Sequence, residues 1–282
     1  ERLFLSIGAM KAGTTWLYSL LERHPQIQFT PEKEIHFLAA NYINPAFLSD
    51  AHRQHRATTR LAGLINSSLN GGENSPLVYD RYLNQPTSLE WYFNLFEPAA
   101  RRRVWNADFS NLSALIDADG WKRLRADFNA DVRAIYILRE PCERLWSQFK
   151  FSRKLKAPLE HEELAEQAKA FLQSQLVAQH SNYCRNLDAV RAGLGTSQVK
   201  AAIFDDIQNN PQQLLKSIEN FLDISKKDYT LHPNLHQPIN TTATTKPPSI
   251  FKHLCKPIVN RELDGLSKRG VAIPTRWLAL AG

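Results

Sequence analysis

A lysine, two threonines and two glycines follow the first apolar segment of the chain, within the stretch GAMKAGTTW. Gly8 and Gly13 permit the positive φ angles and the close backbone approach that a tight loop requires. Lys11 supplies a cation, and Thr14 and Thr15 supply hydroxyl donors. The helix expected next begins with unpaired N–H groups and carries partial positive charge at that end. The stretch is therefore predicted to bind a phosphate or sulfate group.

The position of the lysine separates this loop from the common nucleotide-binding pattern GxxxxGK[ST]. The spacing from Gly8 to Gly13 fits that pattern, but Thr14 stands where its lysine belongs, and Lys11 precedes the second glycine. No apolar segment clearly ends in a magnesium-binding aspartate, and the acidic pair at 205–206 is the nearest candidate. The loop therefore matches the pattern of a P-loop phosphotransferase or other NTP-binding protein only in part, and we treat that function as an alternative. A non-catalytic nucleotide-binding module is another.

The stretch GAMKAGTTWLYSLLERHP resembles the 5′-phosphosulfate loop of the sulfotransferases that use 3′-phosphoadenosine 5′-phosphosulfate (PAPS). In that family the lysine, the glycine and the paired threonines hold the 5′-phosphate and the sulfuryl group. The resemblance is closer to carbohydrate-type, heparan-type and bacterial members than to the aryl type. It implies PAPS as donor and 3′-phosphoadenosine 5′-phosphate (PAP) as product. It also assigns six loop residues to donor binding: Lys11, Ala12, Gly13, Thr14, Thr15 and Trp16.

A second motif, REPCERLWSQFKF, follows the apolar segment AIYIL. It is similar to the family's 3′-phosphate motif, in which an arginine at a strand end precedes a proline by two residues and a serine by eight. Those residues are Arg139, Pro141 and Ser147 here, with Arg144 between them. Ligands bind open α/β sheets at the carboxyl ends of strands, and a guanidinium and a hydroxyl can hold one phosphate together. We expect Arg139 and Ser147 to bind the 3′-phosphate.

A fainter resemblance extends to Ile224. It implies that Tyr183 lies on the cofactor side of the fold. The polar, proline-rich stretch at 233–249 reads as a long loop, and it corresponds to a family loop that closes over the cofactor. Lys246, in that loop, is the last residue that the resemblance assigns to donor binding.

Sulfuryl transfer to a hydroxyl requires a base for the acceptor proton and positive charge near the leaving phosphate. The segment TPEKEIHFL resembles the E-(V/I)-H-F segment of glycan-type members, whose carboxylate is the proposed base. This implies Glu34 as the base, and His36 is its nearest rival. In an extended segment the two side chains would share one face and both would contact substrate. Lys11 would neutralise the leaving phosphate oxygen, and no metal is expected, since the sequence contains no HExxH or paired-cysteine signature.

In family members a Gly-Glu-x-(Ser/Thr)-Pro segment lines the acceptor pocket, and two segments of this sequence are candidates for it. ADFSN lies at the right distance before the second motif but lacks the glycine, the glutamate and the proline; GENSP, at 72–76, has the letters but lies earlier. We favour Asp108 and Ser110 as acceptor-binding residues. The aromatic residues at 91–93 would line a sugar or lipid site, or pack in the core. The expected acceptor is a small molecule or glycan, and a hydroxyl of a carbohydrate or of another alcohol would receive the sulfuryl group.

Apolar segments that alternate with helical patterns predict the elements that position these residues. Leu3–Ile7, Val132–Leu138 and Val199–Phe204 are short and almost continuously apolar, as parallel strands buried on both faces are. Residues 40–105 read as an irregular insertion. We predict one α/β domain over residues 1–282, a mostly parallel sheet flanked by helices with a P-loop-like strand–loop–helix at its N-terminus. Predicted helices are Thr14–Arg23, Cys142–Lys154, Glu162–Gln179 and one that begins at Pro211 after an Asn210 N-cap.

Composition bounds the remaining possibilities. The net charge of +7 over 282 residues favours anionic ligands. The densest basic run, Arg101–Arg103, lacks the interleaved aromatic residues of a single-stranded nucleic-acid platform, so nucleic acid is not an expected partner. Three scattered cysteines and the absence of a roughly 20-residue apolar run favour a cytoplasmic protein without a transmembrane segment. The sequence starts at Glu1, which leaves an upstream segment open, and it does not give the oligomeric state.

Overall fold

The computed structural model describes residues 2–30, 32–67, 82–83, 86–96, 105–154, 159–237, 239 and 246–281, with main chain alone at 60–67 and 280–281. Five parallel strands form one sheet in the order β2-β3-β1-β4-β5. The predicted α/β class with a parallel sheet is confirmed. The strands are β1 Arg2–Ser6, β2 Ile27–Phe29, β3 Trp105–Asp108, β4 Asp131–Leu138 and β5 Val199–Ile203.

The order of the strands creates a crevice between β1 and β4. After β1 the chain moves to β2 on one side of the sheet, whereas after β4 it moves to β5 on the other side. Both central strands are built from fully buried apolar side chains, such as Leu3 in β1 and Ile137 in β4. Ligands of open α/β sheets bind where successive connections leave in opposite directions. The carboxyl ends of β1 and β4 are therefore where a ligand site is expected.

Helices cover the sheet, and several begin at residues that cap them. The Asp117 side chain accepts from the N–H of Gly120, and the Glu140 carboxylate accepts from the N–H groups of Cys142 and Glu143. Short 3₁₀ turns lie at 45–48, 111–115 and 196–198. The helices of the described segments are α1 Thr14–Leu21, α2 Phe37–Tyr42, α3 Asp50–Ser67, α4 Leu89–Asn94, α5 Ala118–Phe128, α6 Pro141–Arg153, α7 His161–Gln173, α8 Gln175–Ser181, α9 Tyr183–Leu194, α10 Asp205–Asn209, α11 Pro211–Leu222, α12 Ser249–Lys268 and α13 Thr275–Ala281.

The three predicted strands and the predicted helices after β1 and β4 are confirmed to within two residues at each end. The single helix predicted over Glu162–Gln179 is wrong, because Ser174 adopts an extended conformation (ψ 127°) that divides it into α7 and α8. The prediction that residues 40–105 are irregular is also wrong, since α3 alone occupies 18 of them. Pro211 does begin α11, but the Asn210 side chain makes no capping hydrogen bond.

Two candidate features of the sequence fall on other parts of the chain. The GENSP segment at 72–76 and the basic run at 101–103 lie outside the described residues. No helix within the described segments has both the length and the apolar character needed to cross a membrane.

The packing of α9 against α5 depends on a glycine. A Cβ atom at Gly193 would lie 2.1 Å from the Cβ of Trp121 and 3.0 Å from its carbonyl carbon. Gly193→Ala normally favours a helix by about 1 kcal/mol, but here we expect the free energy of unfolding to fall by about 2 kcal/mol. Urea denaturation measures this change, with the exposed neighbour substitution Ala192→Ser as the control that stays within about 0.5 kcal/mol. A Gly193→Ala protein as stable as the wild type would contradict the close approach.

Candidate active site

The phosphate-type loop is an extension of β1 that stays hydrogen-bonded to β4. The Ile7 N–H donates to the Ile135 carbonyl (3.1 Å), and the Ala9 N–H donates to the Ile137 carbonyl (2.8 Å). The Ile137 N–H in turn donates to the carbonyl of Gly8 (2.8 Å). The backbone of the loop is thereby fixed beside the sheet, at the carboxyl ends of the two central strands.

Gly13 ends the loop and begins α1. It has φ 82°, and a Cβ atom there would lie 2.4 Å from Cδ1 of Ile207 and 3.1 Å from the ring of Phe204. Both the conformation and the space require glycine. The Leu17 N–H makes the first i to i−4 bond, to the Gly13 carbonyl, so the N–H groups at 14–16 have no acceptor within the helix. These groups, with the dipole of α1, are the predicted anion-binding end of the loop.

Three cationic side chains lie close together at this end of the sheet. Burial first, and then the charges of Arg139 and Lys150, lower the pKa of the Lys11 ammonium. Burial and the charge of Arg139 also lower the pKa of Lys150, which is a buried residue of α6. A bound anion would relieve this repulsion. Lys150 was not predicted from the sequence. Its spacing of three residues from Ser147 places both on one side of α6 and is the signal that could have indicated it.

Arg139 follows the last residue of β4 and contacts the loop directly. Its Nη1 donates to the Lys11 carbonyl (3.1 Å), and its guanidinium lies 4.5 Å from the centre of the Phe204 ring. Its own carbonyl accepts from the hydroxyl of Tyr183 (3.0 Å). Tyr183 is fully buried, and its hydrogen bond holds the backbone of Arg139 from the interior of the protein. That differs from the expected position on the cofactor side, in contact with the donor.

The other residues of the second motif lie within α6. Ser147 is buried two turns into the helix. Arg144 is fully buried, and its guanidinium donates to Oε1 of Gln148 (2.7 Å) and to Oγ of Ser181 (2.7 Å). The two arginines of the motif therefore differ, since Arg139 contacts the loop and Arg144 joins α6 to α8.

Glu34 lies in an irregular segment beside the 3₁₀ turn that follows β3. Its N–H donates to the Phe109 carbonyl (3.1 Å), and its carbonyl accepts from Nη1 of Arg56 (2.6 Å). Its carboxylate accepts from Nδ2 of Asn111 (2.8 Å) and from Nζ of Lys33 (3.3 Å). The side chain is 28% exposed, so the carboxylate is oriented and still accessible to a ligand.

The ring of His36 is buried, unlike the carboxylate of Glu34. Burial is the main cause that lowers the His36 pKa to about 4, and the charges of Arg56, His52 and Lys33 act in the same direction. Its Nδ1 has no hydrogen-bond partner among the described residues. His36 is consequently neutral at neutral pH, and its imidazole is a weaker base than a free histidine.

Asp108 and Ser110 form a buried chain beneath His36. The His36 N–H donates to Oγ of Ser110 (3.0 Å), whose hydroxyl donates to Oδ1 of Asp108 (2.6 Å). The Tyr92 hydroxyl donates to the other carboxylate oxygen of Asp108 (2.9 Å). Both Asp108 and Ser110 are 1% exposed. The prediction that Asp108 and Ser110 contact the acceptor is therefore corrected. Both residues lie inside the protein, where they fix the backbone of His36. Trp91 and Tyr92 are core residues too.

Positive φ angles mark the three predicted catalytic residues. Lys11 (66°), Glu34 (66°) and His36 (60°) all have left-handed conformations. The expectation of an extended segment that places Glu34 and His36 on one face is thus wrong. Positive φ at non-glycine residues is otherwise found, in the described segments, only where helices end, at Asn129, Lys154 and Asp223. Such strain is concentrated at functional sites.

The remaining predicted donor residues differ in their surroundings. Trp16 is buried, and its Nε1 donates to the carbonyls of Asn234 (3.0 Å) and Leu235 (3.3 Å), which holds the segment after α11 against α1. Thr14 is buried and Thr15 half-buried in the first turn of α1. Lys246 is exposed and precedes α12, and its assignment to the donor stays a prediction.

Asp205 is engaged in contacts that compete with a magnesium-binding role. Its carboxylate accepts from Nε of Arg276 and from Nε1 of Trp277 (3.0 Å). Because both oxygens already accept from side chains of α13, Asp205 is disfavoured as the metal ligand that the P-loop phosphotransferase interpretation requires. No group of three or more His, Cys, Asp or Glu residues in the described segments is arranged to hold a metal ion.

The burial of His36 predicts acid sensitivity. In the unfolded chain a histidine has a pKa of 6.5, and in the folded protein His36 has a pKa of about 4. As the pH falls from about 6.5 to 4, the unfolded state binds a proton that the folded state does not, so stability is lost. Urea denaturation at pH 7 and pH 5 should show a smaller loss for His36→Gln than for the wild type. The residual loss would include His180, whose pKa is about 3. An NMR titration of His36 with a pKa near 6.5 would contradict this prediction.

Known proteins resemble this chain over most of its length. The profile of the sulfotransferase family matches residues 4–228. The membrane-associated sulfotransferase kil1 of Dictyostelium discoideum is 27% identical over 163 residues, 56% of this chain and 26% of that protein, so the chain spans about a quarter of this relative. A sulfotransferase from Alicyclobacillus acidocaldarius has the same fold (TM-score 0.66, 16% identity, 98% of each chain), as does the sulfotransferase domain of the Synechococcus PCC 7002 olefin synthase (TM-score 0.50, 17% identity, 99% of this chain and 92% of that one). With more than half of its length matched by the profile, this chain belongs to the sulfotransferase family.

Proposed function

We propose that the chain transfers the sulfuryl group of PAPS to a hydroxyl of a carbohydrate or another alcohol. The observation that carries the proposal is the cluster of Lys11, Arg139 and Lys150 beside the N-terminus of α1, at the crevice between β1 and β4. Partly buried like charges, in which Arg139 lowers the pKa of both Lys11 and Lys150, fit a strongly anionic ligand. Family membership supports the sulfuryl group as the part that is transferred.

The cationic cluster suits a donor with phosphate groups at two positions. The N–H groups at 14–16 and Lys11 would bind the 5′-phosphosulfate end. Arg139, with Ser147 and Lys150 from α6, would bind the 3′-phosphate, because a guanidinium binds phosphate with charge-assisted hydrogen bonds. A nucleoside triphosphate with magnesium fits less well, since Asp205 is held by α13.

The transfer step assigns one task to each of three residues. The acceptor oxygen forms a bond to sulfur as the bond from sulfur to the 5′-phosphate oxygen breaks, and the acceptor proton moves to Glu34. Lys11 stabilises the negative charge that develops on the leaving phosphate. The backbone N–H groups of α1 and the side chain of Arg139 hold the donor in line with the acceptor.

Glu34 is the better base of the two candidates. Its carboxylate is accessible and is oriented by Asn111, whereas the His36 ring is buried and has a pKa of about 4. His36 would instead help to shape the acceptor side, held by its N–H bond to Ser110. Asp108 would act through Ser110 without contact to the acceptor.

Donor binding is the first test of this proposal. PAP at about 100 times its dissociation constant should raise the melting temperature by about 5 °C. Lys11→Ala and Arg139→Ala should each reduce that shift and lower the rate of sulfate transfer from radiolabelled PAPS by at least about 100-fold. Lys122→Ala, which removes an exposed lysine of α5, is the matched control and should behave as the wild type. A shift with magnesium-ATP but none with PAP would favour the phosphotransferase interpretation.

The identity of the base is tested by two substitutions. Glu34→Gln keeps an oxygen for the Asn111 bond but removes the base, so kcat should fall by about 100-fold or more while the Kd for PAP stays the same. His36→Gln should lower kcat much less. A screen over glycans, other alcohols, phenols and peptides identifies the acceptor used in the assay. Full turnover by Glu34→Gln together with an inactive His36→Gln would move the base to His36.

A further inference from the structure

One carboxylate of α6 lies between two guanidinium groups. Oε1 of Glu143 is 2.9 Å from Nη1 of Arg276, and Oε2 of Glu143 is 3.4 Å from Nη2 of Arg276. The same Oε2 is 3.9 Å from Nε of Arg139. Glu143 therefore makes a two-pronged contact with the arginine of α13 and only a longer contact with the arginine of the candidate site.

The position of Arg276 is set by a second acidic residue. Its Nε donates to Oδ1 of Asp205, the first residue of α10, which is 6% exposed. The next residue, Trp277, is fully buried, and its Nε1 donates to the other carboxylate oxygen of Asp205 (3.0 Å). Arg276 is consequently held at both edges of its guanidinium, and α13 is fixed to the carboxyl ends of β4 and β5.

The geometry makes Arg276 the closer partner of Glu143, although Arg139 also lies within ion-pair distance. Bidentate contact between a guanidinium and a carboxylate is the strongest form of this pair, whereas 3.9 Å is too long for a hydrogen bond. Glu143 is four residues after Arg139, the spacing at which helical side chains meet, so without Arg276 it would be able to close this distance and form a hydrogen-bonded pair with Arg139. A carboxylate paired with Arg139 would compete with a phosphate for the same guanidinium.

We propose that Arg276 is a positioning residue that holds Glu143 away from Arg139 and keeps Arg139 available for the 3′-phosphate of the donor. The inference rests on the proposed function. It assigns to the C-terminal helix α13 a part in donor affinity, although α13 lies outside the matched family region, residues 4–228. The carboxylate of Glu143 would otherwise compete with the 3′-phosphate for Arg139, and Arg276 of α13 binds this carboxylate.

The experiment measures the Kd for PAP and for adenosine 5′-phosphate, which lacks the 3′-phosphate, by calorimetry on the full chain. Arg276→Met should weaken PAP binding by about tenfold, because Glu143 then pairs with Arg139, and should leave adenosine 5′-phosphate almost unchanged. Adding Glu143→Gln to Arg276→Met should restore PAP binding to within about twofold of the wild type. Arg269→Met, which removes the arginine of another bidentate pair, with Asp188, is the matched control and should bind PAP normally.

Three outcomes would overturn the inference. Normal PAP binding by Arg276→Met would show that Glu143 does not compete. Equal losses for PAP and adenosine 5′-phosphate, or no restoration by Glu143→Gln, would indicate a purely structural role for Arg276. If Arg276→Met does not fold, Arg276→Lys keeps the charge without the two-pronged contact and should show a smaller loss that Glu143→Gln again removes. A wild type that binds neither nucleotide would overturn the proposed function itself.

Discussion

Repulsion between partly buried positive charges is the constraint on which the candidate site depends. Lys11, Arg139 and Lys150 each have a lowered pKa, with burial as the first cause and a cationic neighbour also lowering the pKa of Lys11 and of Lys150. Such a cluster persists only if rigid elements hold it, and here the loop is bonded to β4 while Tyr183 supports Arg139 from beneath. The same repulsion makes an anion the ligand that stabilises the site, because it removes the penalty that the fold has to overcome.

The residues proposed for the donor side could be named from the sequence because they form local patterns. Gly13, Lys11 and the threonines lie within a few residues, directly between an apolar strand and a helix, and the strand ends fix where Arg139 emerges. The strands β2 and β3 were not predicted, since they are three and four residues long and β3, with the sequence WNAD, is half polar. The helix α3 was missed for a similar reason: its polar sequence lacks a wide apolar stripe.

The acceptor side depends on contacts that no local pattern reveals. Asn111 orients Glu34 across 77 residues of sequence. Asp108 and Ser110 have the residue types of a polar pocket, yet burial makes them a support for His36. Burial of a polar pair is decided by the helices that cover it, so residue type alone cannot separate a residue that contacts substrate from one that positions it.

Left-handed backbone conformations link the proposed donor side of the site to the proposed acceptor side. A left-handed conformation costs a non-glycine residue roughly 1–3 kcal/mol, and it persists only where the surroundings enforce it. At Glu34 and His36 the enforcing bonds run from their N–H groups to Phe109 and to Ser110, both just after β3, the strand next to β1. At Lys11 the carbonyl is held by Arg139, just after β4 on the other side of β1. The three strained residues are therefore fixed from the two strands that flank β1, so a change in either neighbour alters the distance between the cation of the donor side and the carboxylate of the acceptor side.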